Sequence, residues 1–320
     1  MNTLRIASLA LALWSPCVLA QTQPAAEPAK EAAPAKKAKP PIYDEKADAK
    51  AAVEAAIANA RKNNRRVLIQ WGANWCGWCH LLHEAMASDK DLKRELLYEY
   101  DVVLVDIGRF DRNMELAASY NADLKANGVP FLTILDSSGK VITNQETGSL
   151  ESKEAGKAEH DRAAVLKFLK DHEASPRNAE AVLKDALSAA GTSGKKVFLH
   201  FGAPWCGWCH KLENWMGRPE VAAILDKAFI DVKIDVDRDT GGRDVHRRYQ
   251  KEESGIPWFA FLDASGGAII TSQGPKGNTG FPAAAEEIAH FEAMLKKAGL
   301  AAQDVETLVA SLREKAPAGH

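Results

Sequence analysis

Along most of this chain the apolar residues fall into short runs at helical or strand spacing. From Ala51 to Arg61 they recur three and four apart, which predicts a helix, and Arg66 to Trp71 is an apolar run of strand length. Phe131 to Leu135 and Val141 to Thr143 flank the turn signal Asp136-Ser137-Ser138-Gly139, which predicts a hairpin. Taken together, the periods predict helix, strand, helix, strand, helix, two strands and a closing helix near Ala163 to His172. A strand that feeds a helix and then another strand implies a parallel crossover, with the antiparallel hairpin to one side. The expected fold class is therefore α/β, a central mixed sheet with helices on its faces.

The same pattern occurs twice. Val67 to His80 reads VLIQWGANWCGWCH, and Val197 to His210 reads VFLHFGAPWCGWCH. Downstream, Val102 to Ile107 matches Val232 to Val236, and GVPFLTILDSSGKVI from Gly128 matches GIPWFAFLDASGGAII from Gly255. Asp263-Ala264-Ser265-Gly266 repeats the turn, and Ala284 to Lys297 repeats the closing helix. Self-similarity at this length predicts two tandem copies of one domain. The expected divisions are 44–173 and 174–300, followed by a C-terminal helix and tail over 301–320.

The N-terminus has a different composition. Arg5, an apolar run and Val18-Leu19-Ala20 before Gln21 have the layout of a secretory signal peptide over 1–20. Ser15 and Pro16 interrupt the run, which falls short of the ~20 apolar residues of a membrane helix. An uncleaved anchor is the alternative. Residues 21–43 are dominated by Ala, Pro, Lys and Glu and read as a disordered tether. The expected location is periplasmic or secreted. A net charge of -2, with 26% charged residues of both signs, offers nucleic acid no electrostatic footprint.

Of five cysteines, Cys17 falls in the leader and the other four form two close pairs. Structural staples would be spread over long loops instead. Cys76-Gly77-Trp78-Cys79 and Cys206-Gly207-Trp208-Cys209 each begin where a strand ends and a helix starts. Helix residues three apart face the same way with Cβ atoms about 5–6 Å apart, close to the ~3.5–4.5 Å of a disulfide. The unsatisfied N–H groups and dipole at the helix start favour negative charge and lower the leading thiol's pKa. Cys76 and Cys206 are thus the candidate nucleophiles, and Cys79 and Cys209 the resolving thiols.

A Trp-Cys-Gly-x-Cys motif after a strand, with a proline opening a later strand, resembles the thioredoxin superfamily. The Trp-Cys-Gly-Trp-Cys-His form resembles its periplasmic thioredoxin-like members. The resemblance implies a thiol:disulfide oxidoreductase with two redox-active disulfides, Cys76–Cys79 and Cys206–Cys209, and no metal or organic cofactor. It also implies that Pro130 and Pro257 are cis and that the backbones of Val129 and Ile256 pair with an extended client. The implied partners are cysteine-containing secreted proteins and a periplasmic or membrane electron donor or acceptor. A Gly-aromatic pair between the cysteines resembles reductases and isomerases more than oxidants.

Family members often bury an acid beneath the resolving cysteine, with a lysine beside it. Here those positions hold Gln70 and Leu104 in the first copy, and His200 and Lys233 in the second. Gln70 cannot act as a base, whereas His200 titrates near neutral pH, so the second copy is expected to exchange faster. Trp75, Trp78, Trp205 and Trp208 are candidates for an apolar docking patch. His80 and His210 are expected on the exposed side of their helices. Cys-x-x-Cys-His is also the attachment pattern of c-type haem, which leaves a dihaem carrier as the rival. Zinc shared between the pairs, and a redox-regulated binding module or chaperone, are the remaining alternatives.

Overall fold

The computed structural model describes residues 40–314. The expected leader, all but the end of the tether, and the last six residues of the chain lie outside the described residues. Among the described residues no helix is long and apolar enough to cross a membrane.

The first domain runs α1 (Ala49–Asn63), β1 (Arg66–Gly72), α2 (Gly77–Ser88), α3 (Lys90–Glu99), β2 (Tyr100–Asp106), α4 (Met114–Ser119), α5 (Leu124–Asn127), β3 (Phe131–Leu135), β4 (Val141–Glu146) and α6 (Arg162–Lys170). The second runs α7 (Ala179–Ser193), β5 (Lys196–Gly202), α8 (Gly207–Met216), α9 (Pro219–Ala228), β6 (Phe229–Asp235), α10 (Gly242–Tyr249), β7 (Trp258–Leu262), β8 (Ala268–Thr271), β9 (Gln273–Gly274), β10 (Gly277–Asn278), α11 (Ala285–Lys297) and α12 (Ala302–Arg313). Each domain has a four-stranded sheet, ordered β2-β1-β3-β4 and β6-β5-β7-β8. The first pair in each is parallel and the other two are antiparallel, so the expected crossover and hairpin are both present.

The central strands β1 and β5 are buried on both faces because helices cover both sides. Alternation along β1 sends Val67, Ile69 and Trp71 into one core with α1, and Leu68 into the other with α2, α3 and α6. Gln70 therefore shares the face of Leu68, and His200 that of Phe198, by the period of two in a strand. In register, Gln70 lies opposite Leu104 and His200 opposite Lys233.

The single helix expected after each motif is two. Asp89 turns extended at the end of α2, and its carboxylate accepts from the Asp91 and Leu92 amides to cap α3. In the second domain Pro219 opens α9, where its missing N–H costs no helical bond. The tether is also shorter than expected, since Tyr43 is only 3% exposed. Asn74 Oδ1 accepts from the Ile42 and Tyr43 amides at 2.9 Å and Asn74 Nδ2 donates to Tyr43 O, which fastens this segment to the domain. Helix α12 places Val305, Leu308 and Val309 in the core of the second domain.

The domains meet where α1 ends. Arg238 donates to the Asn63 and Asn64 carbonyls at 2.9 and 2.8 Å and pairs with Glu99 at 2.6 Å. A helix leaves its last carbonyls without intrahelical partners and carries negative potential there, so a cation from the neighbouring domain satisfies both needs.

Candidate active site

Each disulfide sits at the first turn of a helix, between the end of a central strand and the proline loop. Cys76 and Cys206 are the N-caps of α2 and α8, and each Sγ accepts the amide of its partner cysteine at 3.1 Å. The Cα atoms of the pairs are 5.3 and 5.2 Å apart, the separation expected of closed disulfides. Cys76 Sγ lies 3.5 Å from Val129 O, and Cys206 Sγ lies 3.5 Å from Ile256 O. The Val129–Pro130 and Ile256–Pro257 peptides are both cis. Within each domain the structure thus brings the cysteine pair, the proline and the residue before it together.

The tryptophans differ between the domains. Trp75, Trp205 and Trp208 are 44%, 56% and 51% exposed, whereas Trp78 is half-buried. Trp75 donates to Gly108 O and carries Arg109 over its ring at 5.1 Å, while Trp205 donates to Asp237 at 2.8 Å. The His160 ring meets Trp78 edge-on at 5.4 Å; in the second domain Phe281 stacks near Trp208 at 6.5 Å and Lys211 lies over it. Burial holds His160 below the usual histidine range, and neither of its ring nitrogens has a hydrogen-bond partner among the described residues. A cavity of about 610 Å³ beside the second disulfide is lined by Trp208, Ile256, Pro257 and Phe281.

The histidines after the motifs are not on the solvent side. His80 is buried with Nε2 2.9 Å from Asn74 O, and half-buried His210 has Nε2 2.8 Å from Pro204 O. Each imidazole folds back to tie the loop before its own helix. With those nitrogens engaged in the loops and the cysteines closed on each other, the arrangement does not favour the haem reading.

Behind the disulfides the domains diverge. Gln70 Nε2 donates to Tyr43 Oη at 2.9 Å, and Leu104 packs beside Tyr43 and both cysteines. A methyl on Gly72 would collide with that phenol oxygen and fall 2.8 Å from Cys79 Sγ, so the missing Cβ admits the ring. At Gly202 the same methyl would sit 3.4 Å from Cys209 Sγ and 3.7 Å from Lys233 Cε. Lys233 Nζ in turn reaches Glu213 at 2.5 Å and Asn63 Oδ1 of the first domain at 2.7 Å.

His200 Nε2 lies 3.0 Å from Asp231 Oδ1, without the alignment of a hydrogen bond. Burial pushes the Asp231 carboxyl up, but His200 and Lys62 beside it hold it below its ordinary value. Asp231 stands opposite Phe198, so this contact draws the ring back along β5, away from the end that carries the cysteines. A polar cavity of about 600 Å³ between the domains reaches Lys233, Glu213 and His210.

Sequence reasoning missed Tyr43, Glu213 and Asn63. Glu213 had a local signal, since it follows Cys209 by four residues and shares its helix face. Tyr43 and Asn63 had none, because only the fold carries them to the sites.

A helix-capping dithiol closed as a disulfide, facing a proline loop across the end of a mixed sheet, defines a thiol–disulfide class of site. The thioredoxin-like family model matches residues 48–137 and again 178–264, and the chain belongs to that family. Similar curated proteins include protein disulfide isomerase-like 1-1 of Arabidopsis thaliana, 26% identical over 46% of this chain and 29% of that protein. Protein disulfide-isomerase erp38 of Neurospora crassa is 26% identical over 63% of this chain and 51% of its own. The chain thus spans about half or less of the length of these two relatives. Among solved structures, a disulphide isomerase from Xylella fastidiosa Temecula1 is 28% identical, with 41% of this chain and 95% of that one covered and a TM-score of 0.36.

Proposed function

We propose that this protein is a thiol:disulfide oxidoreductase that acts on cysteine-containing secreted or periplasmic proteins through two independent Cys-Gly-Trp-Cys sites. The observation that carries the reading is one geometry made twice: a helix-capping sulfur 3.5 Å from the carbonyl that precedes a proline, beside exposed tryptophan. In each site the leading thiolate attacks a client disulfide and releases one client thiolate, forming a mixed disulfide. The resolving thiolate then attacks the leading sulfur and releases the second. Two electrons pass from the dithiol to the client, and the two protons of the dithiol end on the client thiols.

Val129 and Ile256 are the backbone positions against which an extended client would lie, and Trp75, Trp78, Trp205 and Trp208 supply apolar contact. In the second domain Lys233, whose stem shares the space beside Gly202 with Cys209 Sγ, is the candidate for moving a proton at Cys209, with Glu213 as its counter-charge. His200, turned back toward Asp231, bears on it only through β6. The leader pattern in Met1 to Ala20 supports a periplasmic or secreted location, and re-reduction there requires a periplasmic or membrane electron donor.

The test is the reduction potential of each pair, by glutathione equilibration and peptide-resolved mass spectrometry on the full chain with the other pair changed to serine. Values between about −270 and −180 mV are expected, the range of thioredoxin and disulfide isomerases. Values near −120 mV, those of a strong disulfide donor, would reverse the direction. Pairs that fail to equilibrate with glutathione at all would overturn the activity.

A further inference from the structure

Where the second domain has His200 and Lys233, the first has the uncharged Gln70 and Leu104, so among the described residues its resolving thiol has no counterpart of Lys233. The space is filled by the segment that leads into α1. Tyr43, Cys76 and Cys79 form one buried cluster, and the phenol oxygen and Cys79 Sγ crowd the same point beside Gly72. Gln70 Nε2 donates to that oxygen, which leaves the phenol hydrogen free to turn toward the sulfur.

We propose that Tyr43 is a positioning residue for the first redox pair, donating its phenol hydrogen to the Cys79 thiolate. The inference rests on the thiol-exchange reading above. When the pair is reduced and Cys79 loses its proton to solvent, the phenol O–H stabilises the anion in a buried site where water cannot. The thiolate then attacks Cys76 Sγ of the mixed disulfide and the client thiolate leaves; the phenol keeps its proton throughout. Burial holds the Tyr43 phenol far above its ordinary pKa, so it remains a donor across the working range.

Gln70 holds the ring oxygen, and the Asn74 clamp fixes the backbone that carries it. The charged and titratable groups around this pocket are Asp106 at the end of β2, Arg112 paired with it at 3.3 Å, Glu45 on the Tyr43 segment, and His80 on α2. None of these is altered by the substitutions that test the proposal.

The experiment uses the full chain with Cys206 and Cys209 changed to serine, and reads the pH profile of Cys79 alkylation by peptide-resolved mass spectrometry in a Cys76→Ser background. Tyr43→Phe keeps the ring and its packing. It is expected to raise the Cys79 thiol pKa by about one unit, a tenfold slower alkylation below that pKa. Gln70→Leu, which frees the phenol without removing it, is expected to move the profile less. Superimposable profiles for Tyr43→Phe and the parent, with the melting temperature lowered or not, would overturn the proposal and leave Tyr43 a packing residue. The failure of the broader reading looks different: there the Cys76–Cys79 pair of the parent does not exchange with glutathione, whatever the Cys79 profile does.

Discussion

The two domains share a sheet order, a motif and a proline loop, yet they line the buried side of the disulfide with opposite chemistry. The first uses neutral groups, Gln70, Leu104 and Tyr43; the second uses Lys233, Glu213, His200 and Asp231. The exposed face differs too, with Trp78 partly covered by the His160 segment and Trp208 open beside a cavity. Duplication has thus kept the nucleophile and its helix while the surroundings that set proton supply and client access have diverged. A thiolate in a low-dielectric site answers strongly to nearby donors and charges, so such changes retune a site without touching its cysteines.

The largest expected effect concerns whether the domains act as one body. Arg238→Ala removes the partner of Glu99 and strips two carbonyls at the end of α1, which should cost about 3 kcal/mol. Calorimetry should then show the domains unfolding in separate transitions, whereas an unchanged single transition would mean that other contacts hold them together. Because Asn63 also accepts from Lys233, the second site should lose rate in this variant more than the first.

A smaller effect is expected at His200. His200→Gln should slow exchange at Cys206–Cys209 a few-fold, on the order of 1 kcal/mol, because Asp231 loses its imidazole partner on the strand that carries Lys233. Stopped-flow reduction across pH 5 to 9 measures this, and an unchanged rate and profile would remove His200 from the second site's chemistry. Cys76–Cys79, with Gln70 already in place, serves as the internal control.

The smallest effect separates the domains by stability. Glu95 on α3 is buried, and burial together with Glu173 raises its carboxyl from 4.5 to about 7. A folded-state pKa above the unfolded one gives stability that is complete below pH 4.5 and lost as pH rises through about 7. The corresponding place on α9 holds the apolar Ile224. Glu95→Gln should therefore recover about 1 kcal/mol at pH 8, where solvent partly screens the carboxylate, and nothing at pH 4. Thermal melts at both pH values check it; an equal gain at both would assign the effect to packing.

Much of this molecule was legible before its structure. Turn residues at Asp136 to Gly139 and strand-length runs on either side announced the hairpin, and the two motif copies announced two domains. The Cys76 and Cys206 caps followed from strand, motif and helix in succession. The alignment also paired Gln70 with Leu104 and His200 with Lys233, as the strand registers do. What misled was orientation: His80 and His210 sat at helix positions that read as exposed, but each ring folds back onto a carbonyl six residues earlier. The helix breaks at Asp89 and Pro219 had capping signals of their own, hidden inside one continuous apolar pattern.

The sequence by itself determined the elements, their repeat and the place of each disulfide, because those depend on spacing within a few residues of the chain. Tertiary structure alone decided what surrounds the sulfurs. Tyr43 reaches Gln70 across 27 residues, and Asn63 reaches Lys233 across 170. Burial makes such contacts matter for proton affinity, and burial is a property of the packed chain: no local pattern shows which distant side chain will share a thiol's water-poor site.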